Sequence, residues 1–229
     1  MRFNTSSMVD DDKYIYIEEL CDYKYKKSVE ELFIFDIDET LYPFSEIMMM
    51  ERRKKLIVFA EKLGLNPAQC VEKFAMYSHE YGCVMKGLIN NYELTDWHKE
   101  VLYNPVDGTY MYLEHDRSLV DLIDKLNGTK ICFTNGGKHH AREILTRIGL
   151  QNSFELIICC NFFIKNFLCK PQKEAYLMIE KSFDVGKQQI HFFDDRKVNI
   201  AVAAQLGWNA YHISAENEIK AYLAEFQKK

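Results

Sequence analysis

No stretch of this 229-residue sequence approaches the ~20 consecutive apolar residues that a membrane-spanning helix requires. The opening MRFNTSSMVDDDK lacks an apolar signal core as well. The expectation is a soluble, cytoplasmic protein with no membrane partner. No region is basic enough to leave a nucleic-acid footprint, and the net charge is -5 with a pI near 5.8. A chain of that sign that binds phosphate needs a local cation to do so. Seven cysteines are present, an odd count with no C-x-x-C spacing, which argues against zinc and disulfide frameworks. Reduced thiols in a reducing compartment fit better. There is no internal repeat and no low-complexity linker.

What is present is enough apolar material to fold, 48% against 28% charged. Residues 1–30 are polar and tyrosine-rich and are read as an N-terminal extension, the first ten or so mobile. From residue 31 short apolar runs begin, each ending abruptly in polar residues. Leu32-Phe33-Ile34-Phe35 ends at Asp36, Ile131-Cys132-Phe133 at Thr134, Leu156-Ile157-Ile158 near Cys159, and Ile190-His191-Phe192-Phe193 at Asp194. Ala210-Tyr211-His212-Ile213 is a fifth. Such runs suit strands buried on both faces of a parallel sheet. Helical spacing lies between them: Leu119, Leu122, Ile123, Leu126, then Ala141, Ile144, Leu145, Ile148, with Gly149 placed to end the second helix. The alternation predicts an α/β, doubly wound parallel sheet. Residues 44–115 break it with helical patterns and no convincing strand. They are read as a helical cap inserted after the first strand, leaving 31–43 and 116–229 as the core. Ligands of an open α/β sheet bind beyond the carboxyl ends of its strands, so the cap would lie over the site.

The strand ends carry the chemistry. Asp36 and Asp38 close the first strand, Thr134 and Asn135 the second, Asp194 and Asp195 the fourth, and Lys170-Pro171 follows the third. Crowded carboxylates repel and raise one another's pKa; a divalent cation relieves this, and an all-oxygen site selects Mg²⁺. A hydroxyl at Thr134 and a charge at Lys170 suit a phosphoryl group, whose transition state spreads charge over its peripheral oxygens. A carboxylate can serve as nucleophile, and one two residues further on can protonate the leaving oxygen and then activate water.

Phe35-Asp36-Ile37-Asp38-Glu39-Thr40-Leu41-Tyr42 resembles the first motif of the haloacid-dehalogenase superfamily. Phe133-Thr134-Asn135, Lys170-Pro171, and Asp194-Asp195 with Asn199 resemble the other three, in order, across residues 32–213. The resemblance implies a Rossmann-like core, Asp36 as nucleophile, Asp38 as general acid/base, and Thr134 and Lys170 as phosphate binders. It also implies Mg²⁺ held by Asp36, the Asp38 carbonyl and the fourth-motif acids, Asp195 directly and Asp194 from behind. Tyr42-Pro43, Glu80-Tyr81-Gly82, Gly87-Leu88, His140-Ala141 and Cys169-Lys170-Pro171 resemble the pyrimidine 5′-nucleotidase branch, which implies hydrolysis of UMP or CMP. Glu39 and Gly136-Gly137-Lys138 depart from that branch. Asp-x-Asp-Glu-Thr-Leu also occurs in phosphatases of the RNA polymerase tail, which lack a long insertion here. Other readings are a phosphatase of a sugar phosphate, lysophospholipid or similar small phosphomonoester, and a non-catalytic phosphate-binding scaffold.

Several residues carry two readings. Asn135 binds substrate or caps a helix. Tyr42 and Tyr81 stack on a base or pack within the cap. Met49, within Met48-Met49-Met50, lines an adaptable apolar pocket or packs. Arg52-Arg53-Lys54-Lys55 reads as a solvated helix face, His140 as packing near the site without chemistry, and His191 as a core histidine with a partner. Cys159 and Cys160 read as small buried fillers. Cap motion is expected about Tyr42-Pro43 and residues 108–117.

Overall fold

A computed structural model describes residues 11–26, 28–103 and 108–228. The sequence expectation of a mobile N-terminus falls on residues outside these. Six strands form one parallel sheet: β1 (Tyr14–Tyr16), β2 (Leu32–Phe35), β3 (Thr129–Phe133), β4 (Leu156–Cys159), β5 (Ile190–Asp194) and β6 (Asn209–His212). Their spatial order is β1-β4-β3-β2-β5-β6. From β2 the chain winds outward through β3 to β4, then crosses back to place β5 and β6 on the other side of β2. The reversal beside β2 is the switch point at which open α/β sheets bind ligands. The register pairs Phe35 with both Cys132 and Phe193, so the polar residues that follow β2, β3 and β5 emerge at one level.

β2 shows why these strands read as continuous apolar runs. All four residues are buried, Phe33 and Phe35 in one core layer, Leu32 and Ile34 in the other. Phe35 stacks on Phe193 at 4.9 Å and Phe193 on Tyr211 at 4.7 Å, tying β2, β5 and β6 together on one face. His191 is the partnered core histidine its position predicts: it bonds Glu31 at 2.6 Å and Tyr211 at 3.2 Å and stacks on Phe33. All seven cysteines are free thiols, and Cys159 and Cys160 are fully buried.

Two features differ from the sequence reading. Strand β1 precedes the run at residue 32 and pairs with β4, so Tyr14–Tyr16 belongs to the sheet rather than to an extension outside it. Ile17 and Leu20 in the turn that follows are buried in the core. The inserted helices therefore follow the second strand, not the first. These are α1 (Glu46–Glu61), α2 (Pro67–Tyr81), α3 (Val84–Asn91) and α4 (Asp96–Tyr103). They carry their own apolar cluster, built on Phe59, Leu65, Phe74, Tyr77 and Leu88. α2 starts with Pro67 behind an Asn66–Gln69 capping box. α3 crosses so close to it that a Cβ at Gly87 would fall 2.0 Å from Cγ of Tyr77. The core resumes with α5 (Arg117–Asp124), α6 (Lys138–Ile148), α7 (Lys173–Phe183), α8 (Lys197–Leu206) and α9 (Ile219–Phe226).

Candidate active site

The strand ends converge on a cavity of about 330 Å³ lined by Asp36, Asp38, Glu39, Gly82, Thr134, Asn135, Lys170, Asp195, Arg196 and Asn199. Its floor is a buried ion triad. Lys170 Nζ lies 2.8 Å from Asp36 and 2.7 Å from Asp194, with all three side chains almost or wholly buried. The same ammonium sits 5.2 Å above the Phe133 ring and 5.6 Å from that of Phe192. Burial would discharge it, but Asp194 and Asp36 outweigh that and raise its pKa. Truncating one member of such a cluster leaves an unpaired buried charge, at a cost of about 3–5 kcal/mol.

Backbone geometry fixes the floor. Asn135 grips the Lys170 backbone twice at 2.8 Å, donating to its carbonyl and accepting from its N–H. It is therefore not a helix cap; Gly137 occupies the N-cap of α6. Thr134 is buried, and its hydroxyl accepts from the Gly136 amide at 2.9 Å. Asp194 accepts from Lys170, from the Arg196 amide and, through both oxygens, from Asn199 Nδ2.

Asp36, Asp194 and Asp195 bring carboxylate oxygens within 4.8 Å of one another. Burial, with Asp194 and Asp38 nearby, pushes Asp36 well above the usual carboxylate range despite Lys170. Burial, then Asp194 and Glu39, push Asp195 up to about 6. Asn199 Oδ1 is buried with no hydrogen-bond partner. Repelling hard oxygens and an unanswered buried acceptor fit a divalent cation such as Mg²⁺. Asp194 already accepts four hydrogen bonds, so Asp36 and Asp195 are the carboxylates with capacity left for it.

Asp38 is held from three directions. His140 Nε2 lies 3.0 Å from both its oxygens, Arg52 2.9 Å from Oδ1, and the Tyr42 hydroxyl donates to Oδ1 at 2.6 Å. Arg52 also donates to the Tyr42 hydroxyl at 2.7 Å, and Tyr110 bonds His140 Nδ1 at 3.0 Å. A carboxylate only accepts, so Nε2 carries the proton of the His140 contact. Burial alone would raise Asp38; His140, then Arg52 and Tyr42, outweigh it and hold the group well below the ordinary range.

Of the residues singled out in the sequence, the structure brings Asp36, Asp38, Thr134, Asn135, Lys170 and Asp195 to the cavity wall and sets Asp194 directly behind. Three candidate substrate contacts do not line the cavity. Tyr42 is buried with its hydroxyl on Asp38, Tyr81 packs against Tyr77, and Met49 is exposed while Met48 fills the core. Arg52 is no member of a solvated face, because it turns inward to Asp38. His140 touches the same carboxylate rather than packing nearby. No local signal singles out Arg52, which sits among four consecutive cations. His140 had one, its place at the start of the helix that follows Thr134.

The sequence profile of the haloacid dehalogenase-like hydrolase family matches residues 30–207. "Phosphate metabolism protein 8" of Saccharomyces cerevisiae is 28% identical over 199 residues. That alignment covers 77% of this chain, which spans only 59% of the yeast protein's length. Among solved structures, a haloacid dehalogenase-like hydrolase from Xanthomonas campestris superposes with a TM-score of 0.54 at 12% identity, covering 90% of this chain and 94% of that one. A family enzyme from Bacteroides thetaiotaomicron, in complex with magnesium and inorganic phosphate, gives 0.50 at 15% identity, covering 84% and 98%. At these identities the structural likenesses speak for a shared fold.

Proposed function

This chain belongs to the haloacid dehalogenase-like hydrolases, and on that premise we propose that it is a magnesium-dependent phosphomonoesterase working through an aspartyl phosphate on Asp36. The observation that carries the reading is the floor of the cavity, where Asp36 is buried beside Lys170 with Thr134, Asn135 and Asp195 around one space. Asp36 attacks phosphorus and the ester oxygen leaves. Asp38 gives that oxygen its proton. Water then attacks the acyl phosphate, Asp38 takes the water's proton, and phosphate departs from a regenerated Asp36. The hold of His140, Arg52 and Tyr42 on the Asp38 anion suits the second half. In the first half, the dianionic phosphoryl group beside Asp38 repels that anion and favours its protonated form.

Thr134 and Lys170 contact the phosphoryl oxygens, and Asn135 keeps Lys170 in place. Asp36, Asp195 and the Asp38 carbonyl would hold Mg²⁺, an ion that the Bacteroides enzyme binds together with phosphate. The ion supplies charge neutralisation of the phosphoryl oxygens and of the crowded carboxylates. The cavity falls at the small end of ligand pockets, which suits a compact ester. Nucleoside 5′-monophosphates, UMP and CMP preferred, are the substrates we propose. The support is the cap-borne likeness in Glu80-Tyr81-Gly82 and Gly87-Leu88. Phosphate release from a panel of nucleotides and sugar phosphates tests this. Turnover that requires Mg²⁺ and is lost in Asp36→Asn supports the phosphomonoesterase. No preference for UMP or CMP over sugar phosphates removes the nucleotide assignment alone.

A further inference from the structure

Arg196 follows the two β5 aspartates and lines the same cavity. Its backbone amide donates to Asp194 at 2.8 Å, while its guanidinium reaches across to the carbonyl of Gly82. Gly82 ends α2 at the tip of the cap in a left-handed conformation, φ 72°. That tip is seated on the loop carrying Lys170. A Cβ at Gly82 would fall 2.3 Å from Pro171 Cδ and 2.7 Å from the Lys170 carbonyl oxygen. Cys169 Sγ donates to the Tyr81 carbonyl at 3.4 Å, and Lys86 bonds Gln172. The cap tip, the Lys170 loop and Arg196 thus meet at one edge of the cavity.

A guanidinium has five N–H donors in a planar fork that matches oxygen acceptors two at a time. Among the described residues, the Arg196 guanidinium engages the neutral Gly82 carbonyl alone, and the side chain is half-buried. The other cation of the cavity, Lys170, is held by Asp36 and Asp194. Asp38, Glu39 and Asp195 also line the wall and repel anionic oxygen-rich groups. A phosphoryl group on Asp36 occupies the floor, so the alcohol half of the ester extends toward the cap tip, where Arg196 is the donor that remains.

We propose that Arg196 selects the leaving group, binding an oxygen acceptor on the alcohol half of the substrate while the Gly82 contact keeps its guanidinium at the cavity wall. This rests on the phosphomonoesterase reading. The acceptor is a carboxylate or a carbonyl, and the test separates the two.

Initial rates with Mg²⁺ are measured for the full chain, Arg196→Gln and Arg196→Lys on three esters: phenyl phosphate, which carries no second acceptor, phosphoglycolate, which carries a carboxylate, and UMP, which carries base carbonyls. The expected result is that Arg196→Gln loses about tenfold more kcat/KM on phosphoglycolate or on UMP than on phenyl phosphate, mainly through KM, as removal of a hydrogen bond to a charged group predicts. Partial recovery by Arg196→Lys on the affected ester accompanies it. A loss concentrated on phosphoglycolate identifies a carboxylate; one concentrated on UMP identifies a carbonyl. Gly82→Ala displaces the cap tip and with it the carbonyl that holds the guanidinium, so the ester most affected in Arg196→Gln should also be the one most affected in Gly82→Ala. Equal losses across the panel in Arg196→Gln overturn the inference and leave the phosphomonoesterase standing. Absence of turnover of every ester by the unaltered protein overturns that reading and the inference with it.

Discussion

Asp38 draws its environment from four separate places: Tyr42 just after it, Arg52 on α1, His140 on α6, and Tyr110 through His140. These contacts fix the direction in which the carboxylate points, and a proton transfer needs that direction more than it needs affinity. His140→Ala and Arg52→Ala should therefore lower kcat by about tenfold with KM little changed, short of the 10²–10⁴-fold expected for Asp38→Asn. Steady-state kinetics on a good substrate check this; a rise in KM at constant kcat in either variant would assign the side chain to binding instead. Here the sequence was legible only in part. Asp36, Asp38, Thr134, Lys170, Asp194 and Asp195 stand out because each ends or follows an apolar run, and the parallel sheet gathers such ends. Arg52 and His140 reach Asp38 across tertiary packing, which no local pattern encodes.

The elements follow their local chemistry closely where burial is two-sided. β2 and β4 are apolar throughout, and β3 and β5 are apolar apart from Thr129, Lys130, His191 and Asp194, because helices cover both faces; the strand ends fall within about two residues of the runs. β1 was hidden because three residues, Tyr-Ile-Tyr, are too few to show a period and sit in a polar, tyrosine-rich stretch. Its pairing with β4 is what makes them a strand. α5 offers a test at this scale. Asp116 caps it, accepting from the Leu119 amide at 3.1 Å and from Ser118, and pairs with Lys220 at the start of α9. Burial would raise the Asp116 carboxyl, but Lys220, Ser118 and the Leu119 amide together hold it below its usual value. Asp116→Ala should cost about 1 kcal/mol, the ordinary worth of an N-cap, with little added by the exposed ion pair. A lowered folded-state pKa gives stability above the unfolded value and loses it as pH falls through the folded one. The gap in denaturant stability between the two proteins should hold from pH 7 to about 4 and close below that. A gap that widens on acidification would contradict the assignment.

At the scale of the molecule, a parallel sheet and a helical cap with its own apolar cluster enclose a cavity whose floor is overloaded with negative charge. A cation that relieves this repulsion binds the folded state and not the unfolded chain, so saturating Mg²⁺ should raise Tm by about 5 °C or more. Asp195→Asn should abolish most of that rise; a shift that survives the substitution would place the ion elsewhere. The central claim is that phosphate passes through the carboxylate of Asp36. Its direct test is acid quenching during turnover of a phosphomonoester with Mg²⁺, followed by peptide mass spectrometry. The account predicts one added phosphoryl group on the peptide containing Asp36, absent in Asp36→Asn and absent without Mg²⁺. Turnover with no phosphoryl group on that peptide, or the group on any other residue, would contradict it.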